Sequence, residues 1–149
     1  MDRDQAIALI ERAFAAVERP TNAELLHPQS ADDMDIEPLY DIVRWEDMTD
    51  ADVIYNYSAL AFLSPEGFRY FIPAYLIYAL RNPESPEAVV DSTIWSFYPD
   101  MYEENLRDFV ASKFSLLDDA QRQAVDAFLE AMAPFENDAA QALDYWRGG

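Results

Sequence analysis

Apolar positions recur three and four residues apart along most of this chain. Ile7, Ile10, Phe14 and Val17 make the first such stripe, the spacing of one face of an α-helix. Asp2 with Gln5 three residues later has the pattern of a capping box, and Pro20 lies just past the stripe, so a helix is predicted over 3–18. Residues 20–35 carry Pro20, Asn22, Pro28, Ser30 and the Asp32-Asp33 pair and read as a loop. A short helix is predicted around 36–43, and another capped by Thr49 with Asp52 at its third position.

The clearest helix start is Ser64-Pro65-Glu66: a cap, then a proline at the first helical position, then an acid at the positive helix end. The helix it opens, over 65–81, has one broad apolar face in Phe68, Phe71, Ile72, Tyr75, Leu76 and Ala79, and a second in Tyr70, Ile77 and Tyr78. A helix apolar nearly all round is a central one. Pro73 within it lacks an N–H and releases the carbonyl of Arg69, which predicts a kink. Ser85-Pro86-Glu87 repeats the capping device and predicts a helix carrying Val89, Val90, Ile94, Phe97 and Tyr98; the β-branched residues there also fit a strand. Leu106, Phe109, Val110 and Phe114 mark a further helix. Asp118 with Gln121 caps the next, with Val125, Phe128, Leu129 and Met132 as its stripe and Pro134 as its end. Asn137 caps a last short helix. With only three glycines in the chain, an all-β fold lacks its turn residues. The expected architecture is all-α: one compact multi-helix domain over 1–149 around the proline-kinked helix.

The segment Leu63-Ser64-Pro65-Glu66-Gly67-Phe68-Arg69-Tyr70-Phe71-Ile72-Pro73-Ala74-Tyr75-Leu76 resembles the signature of an uncharacterised family, a domain of unknown function, of small bacterial helical proteins. Trp45 with its acidic neighbours upstream and the helix opened by Leu117-Asp118 downstream also resemble that layout, over about 36–132. The resemblance implies a helical fold and carries no assigned activity. The setting of such proteins near bacterial toxin–immunity systems raises an inhibitor as one hypothesis.

Composition narrows the chemistry. The chain has no cysteine, which excludes disulfides, thiolate metal sites and a cysteine nucleophile. The start, Met1-Asp2-Arg3-Asp4, has neither the basic nor the apolar region of a signal peptide, and no apolar run approaches the roughly 18 residues of a bilayer span; a cytoplasmic protein is expected. Twenty-nine acidic residues against ten basic ones give a formal charge of −19. Such a surface repels nucleic acid and anionic lipid and attracts a basic protein.

Catalytic equipment is sparse. Asp32, Asp33, Asp35 and Glu37 crowd one loop but lack the glycine and the ligand spacing of a calcium loop, so they read as solvated acids. His27 is the one histidine; no Gly-x-Ser-x-Gly or phosphate-binding element accompanies it, and it reads as an exposed loop residue. No enzyme activity, cofactor or metal is expected. Arg69, in the most apolar helix, is expected to anchor that helix together with Pro73, through Asp41, Asp91, Glu66 or a backbone carbonyl.

Two functions remain. In the first, the chain inhibits a basic protein such as a toxin or nuclease by covering it with Tyr98, Asp100, Tyr102, Glu103 and Glu104, aromatic anchors among steering acids. The alternative is a small-ligand protein or enzyme with an aromatic pocket around Arg69, lined by Tyr75, Tyr78 and Trp95.

Overall fold

The computed structural model describes residues 1–30 and 34–148. Among these are seven α-helices and no strand: α1 (Arg3–Phe14), α2 (Asp50–Tyr55), α3 (Pro65–Arg81), α4 (Ala88–Trp95), α5 (Glu104–Ser112), α6 (Asp119–Met132) and α7 (Asn137–Trp146). Short 3-10 turns occupy Asn22–Glu24, Glu37–Asp41, Trp45–Asp47, Tyr57–Ala61 and Pro99–Met101. The acidic loop pair Asp32-Asp33 lies outside the described residues. No described helix is long and apolar enough to cross a membrane.

The starts follow the capping chemistry of the sequence. Asp2 and Gln5, Thr49 and Asp52, and Asp118 and Gln121 form reciprocal capping boxes, each satisfying otherwise orphaned backbone N–H groups. Ser64 caps α3 by accepting from the Gly67 N–H at 3.0 Å, and Pro65 occupies the first turn. Two starts differ from expectation. Ser85 does not cap α4, which begins at Ala88 behind Glu87. The Ser85 hydroxyl instead lies 3.1 Å from the Tyr78 hydroxyl and accepts from the Glu87 N–H, so the serine is consumed in the turn that joins α3 to α4. Helix α7 is entered from Glu136, with Asn137 already in its first turn. Helix α1 ends at Phe14, short of the predicted residue 18. The segment with β-branched residues is helical.

Helix α3 is the axis of the fold. It runs unbroken past Pro73, and every residue from Tyr70 to Leu80 is buried. Helices α1, α2, α4 and α6 pack on it, α1 also packs along α6, and α7 closes over α6 and α4. Residues from all these elements form one contiguous core. Polar groups of α3 tie down the irregular chain around it. The buried Tyr75 hydroxyl donates to the Asn56 carbonyl at 2.9 Å. The Tyr70 hydroxyl donates to the Val43 carbonyl and accepts from the Trp45 N–H. Burial raises both phenols above their ordinary range.

An antiparallel bridge between Leu26 and Leu63 pins the segment after α1 to the start of α3. Ser64 N–H donates to the Leu25 carbonyl at 2.7 Å and His27 N–H to the Phe62 carbonyl at 2.8 Å. Gly67 allows the approach: a Cβ there would stand 3.0 Å from Leu63 Cδ2 and 3.2 Å from the Leu25 carbonyl oxygen. This bridge carries His27 and Ser30 to the end of α5, where the candidate site lies.

Candidate functional site

Helix α5 is strongly amphipathic but loosely seated. Only Val110 is buried within it, and its main packing partner is the Pro99–Met101 turn that precedes it. Beneath it lies a partly open cavity of about 440 Å³, a volume within the roughly 300–1,000 Å³ of small-molecule sites. Leu60, Ala61 and Phe62 form its floor, Trp95 and Ser92 its α4 wall, and Leu106, Phe109 and Val110 its roof. Tyr57 and Leu106 are 45% and 44% exposed, so the cavity also has an apolar rim. The Trp95 ring is held in place by its Nε1–H, which donates to Asp138 of α7 at 2.9 Å.

The cavity contains Lys113, the only lysine in the chain. It follows the last turn of α5 on the stripe of Phe109 and Val110, so the helix turns it inward. Lys113 is 5% exposed. Its amine lies 4.7 Å from the centre of the Phe109 ring, and no described carboxylate pairs with it. Removal from water disfavours the ammonium form and pushes its pKa down to about 8. The ring's negative face favours the charge but offsets only part of that cost. The hydroxyls of Ser30, Ser92 and Tyr102 also line the cavity and make no side-chain hydrogen bond among the described residues. Burial raises the Tyr102 phenol above its ordinary range.

His27 stands behind this wall and is not the exposed loop residue expected from sequence. It is 5% exposed, its ring centre is 4.4 Å from that of Phe109, and its Nδ1 accepts from the Gln29 N–H at 3.1 Å. Nε2 lies 3.2 Å from the Ser112 hydroxyl, which itself donates to the Phe109 carbonyl. Nδ1 is an acceptor, so the proton sits on Nε2 and the ring is neutral. Burial first, then the Lys113 charge, lower its pKa, with Glu66 acting in the opposite sense.

The expected site residues separate. Of the proposed pocket set, only Trp95 lines the cavity. Tyr75 and Tyr78 are core residues whose hydroxyls serve the Asn56 carbonyl and Ser85. Arg69 is elsewhere: half-buried, it donates from Nε to the Gln121 side-chain oxygen at 3.2 Å, with no hydrogen bond to Asp41, Asp91 or Glu66. Gln121 in turn donates to the Ala13 carbonyl, so this pair joins α3, α6 and α1. A guanidinium that keeps contact with water needs no carboxylate, which is why an amide oxygen suffices.

The more extensive arginine anchor is Arg19, which sequence reasoning passed over. It donates to the carbonyls of Ile42, Pro20 and Leu39 and to Asn22, and its guanidinium lies over Phe71 at 5.6 Å.

The inhibitor set falls on the segment that leads into α5. Asp100, Glu103 and Glu104 are exposed beside Met101, while Tyr98 is half-buried with its hydroxyl bonded to Gln141. Tyr102 faces the cavity. Among the described residues no group of three or more acids and histidines is placed to hold a metal ion.

A family model, DUF6714, described as a family of unknown function, matches residues 2–147. The chain belongs to that family. The match extends well beyond the 36–132 stretch suggested by the motif and takes in both α1 and α7, the two helices that close the bundle. No curated protein and no solved structure matches the chain.

Proposed function

We propose that this protein binds a small, largely apolar molecule in the cavity beneath α5, and that it acts as a binding protein of the cytoplasm rather than as an enzyme. The observation that carries the reading is the content of that cavity: apolar walls around the chain's only lysine, which has no carboxylate partner among the described residues. An apolar cavity with a few convergent polar groups is the usual form of a ligand site. A calorimetric titration with decanol tests it. The native chain binds with saturation, and Ser92→Phe, which fills the cavity from α4, loses that binding. Absence of saturable binding, or equal binding by Ser92→Phe, refutes it.

A second reading has its own support. The formal charge of −19 and the exposed Asp100, Glu103 and Glu104 beside Met101 suit the inhibition of a basic protein such as a toxin or nuclease, reached by long-range attraction. The tyrosines of that set support it less, because Tyr98 and Tyr102 are engaged with Gln141 and the cavity. Replacing the three acids by their amides slows association with such a partner and flattens its salt dependence. A partner that proves acidic contradicts it.

A further inference from the structure

The cavity reading leaves the ligand's chemistry open, and the polar groups narrow it. Among the described residues Lys113 is the only cation lining the cavity. A buried ammonium without a counterion is costly, and an anion brought to it recovers much of that cost. Among the described residues the titratable groups around the amine supply none: Tyr102 is a phenol with a raised pKa, and His27, against the same Phe109 ring, is neutral. The Ser92, Ser30 and Tyr102 hydroxyls are additional donors. One positive charge suits one negative charge. A phosphate dianion would leave net charge in an apolar cavity, and a neutral ligand would leave the ammonium unpaired. The remaining wall, Leu60, Phe62, Leu106, Phe109 and Val110, matches an apolar tail.

We infer that the cavity beneath α5 selects an amphipathic monocarboxylate, its head group paired with Lys113 and its tail along Phe62, Leu106 and Phe109. This rests on the cavity reading and adds the ligand's charge to it. The net charge of the whole chain opposes the approach of an anion, but that repulsion is screened beyond a Debye length of about 8 Å at physiological salt, whereas the pairing acts at contact.

Decanoate and decanol share a tail and differ in the head group, so paired calorimetric titrations at pH 7 separate the claims. The native chain should favour decanoate over decanol by at least about tenfold, as expected for a charge-assisted contact worth at least one tenfold step. Lys113→Met should lose that preference and keep decanol affinity within about threefold, which also shows that the variant's cavity is intact. Lys113→Arg, which keeps the charge, should retain a preference for decanoate. Equal affinity of the native chain for both probes, or an undiminished preference in Lys113→Met, overturns the carboxylate assignment while decanol binding leaves the cavity reading standing. If decanol does not bind the native chain, the cavity reading falls and the carboxylate assignment falls with it.

Discussion

Replacing Lys113 by methionine should make the ligand-free protein more stable at neutral pH. The side chain keeps its length and apolar stem, and the change removes a buried ammonium. The shift from the ordinary 10.5 to about 8 is about 2.5 pKa units, and at about 1.4 kcal/mol per unit it amounts to about 3 kcal/mol. Loss of the Phe109 ring contact, worth about 1 kcal/mol, reduces the expected gain to about 2 kcal/mol. At roughly 2–4 °C per kcal/mol for a domain of this size, Tm rises by roughly 4–8 °C. The sign follows from linkage. The folded pKa lies below the unfolded one, so the unfolded chain holds the proton more tightly. Stability therefore rises with pH between about 8 and 10.5, and the full penalty applies below 8. Thermal melts of both proteins at pH 7 and pH 10 measure the difference directly. The advantage of Lys113→Met should be large at pH 7 and shrink at pH 10. An advantage equal at both pH values, or a variant less stable at both, refutes the claim that Lys113 is a desolvated cation.

Three further outcomes follow from the contacts. His27 has a lowered pKa, so its contribution to stability is full above about 6.5 and declines as pH falls through the lowered value; the fall seen in native melts toward pH 5 should be shallower in His27→Gln. Arg19→Met deprives three carbonyls of a charged donor and should cost about 2–4 kcal/mol, against about 1 kcal/mol for Arg69→Met, which loses one bond to Gln121; denaturant titration orders the two, and the reverse order contradicts this account of the anchors. Tyr102→Phe removes a hydroxyl with no side-chain partner among the described residues, so its stability should change by less than about 0.5 kcal/mol while its decanoate affinity falls severalfold.

Local signals were legible in the sequence because local chemistry decides them. The capping pairs Asp2/Gln5, Thr49/Asp52 and Asp118/Gln121 place three helix starts, and Ser64-Pro65 places the start of the central one. The turn before α4 misled because a serine before a proline offers its hydroxyl either to a helix N–H or to a neighbour in space, and Tyr78 is such a neighbour. The site was less legible for the same reason: its walls come from the turn at Tyr57–Ala61, from α4, from α5 and from the loop at Ser30, segments that no spacing rule connects. One signal was available. Lys113 stands on the stripe of Phe109 and Val110 in a chain with nine arginines and no other lysine, and a cation on an apolar stripe marks a buried charge. His27 gave no such signal, because its burial comes from the long-range Leu26–Leu63 bridge. Arg19, between a helix end and Pro20, likewise reveals its role only once Ile42 and Leu39 are brought beside it.

The uniqueness of Lys113 makes the central claim directly measurable. Lysine labelled with ¹³C at Cε, incorporated biosynthetically, reports on this one side chain, and its chemical shift followed against pH gives the amine's pKa without and with decanoate. The amine should titrate near 8 in the ligand-free protein and clearly higher when decanoate binds, because a carboxylate beside the amine favours the ammonium. A ligand-free value at the ordinary 10.5, unmoved by decanoate, contradicts both the buried charge and the site built on it.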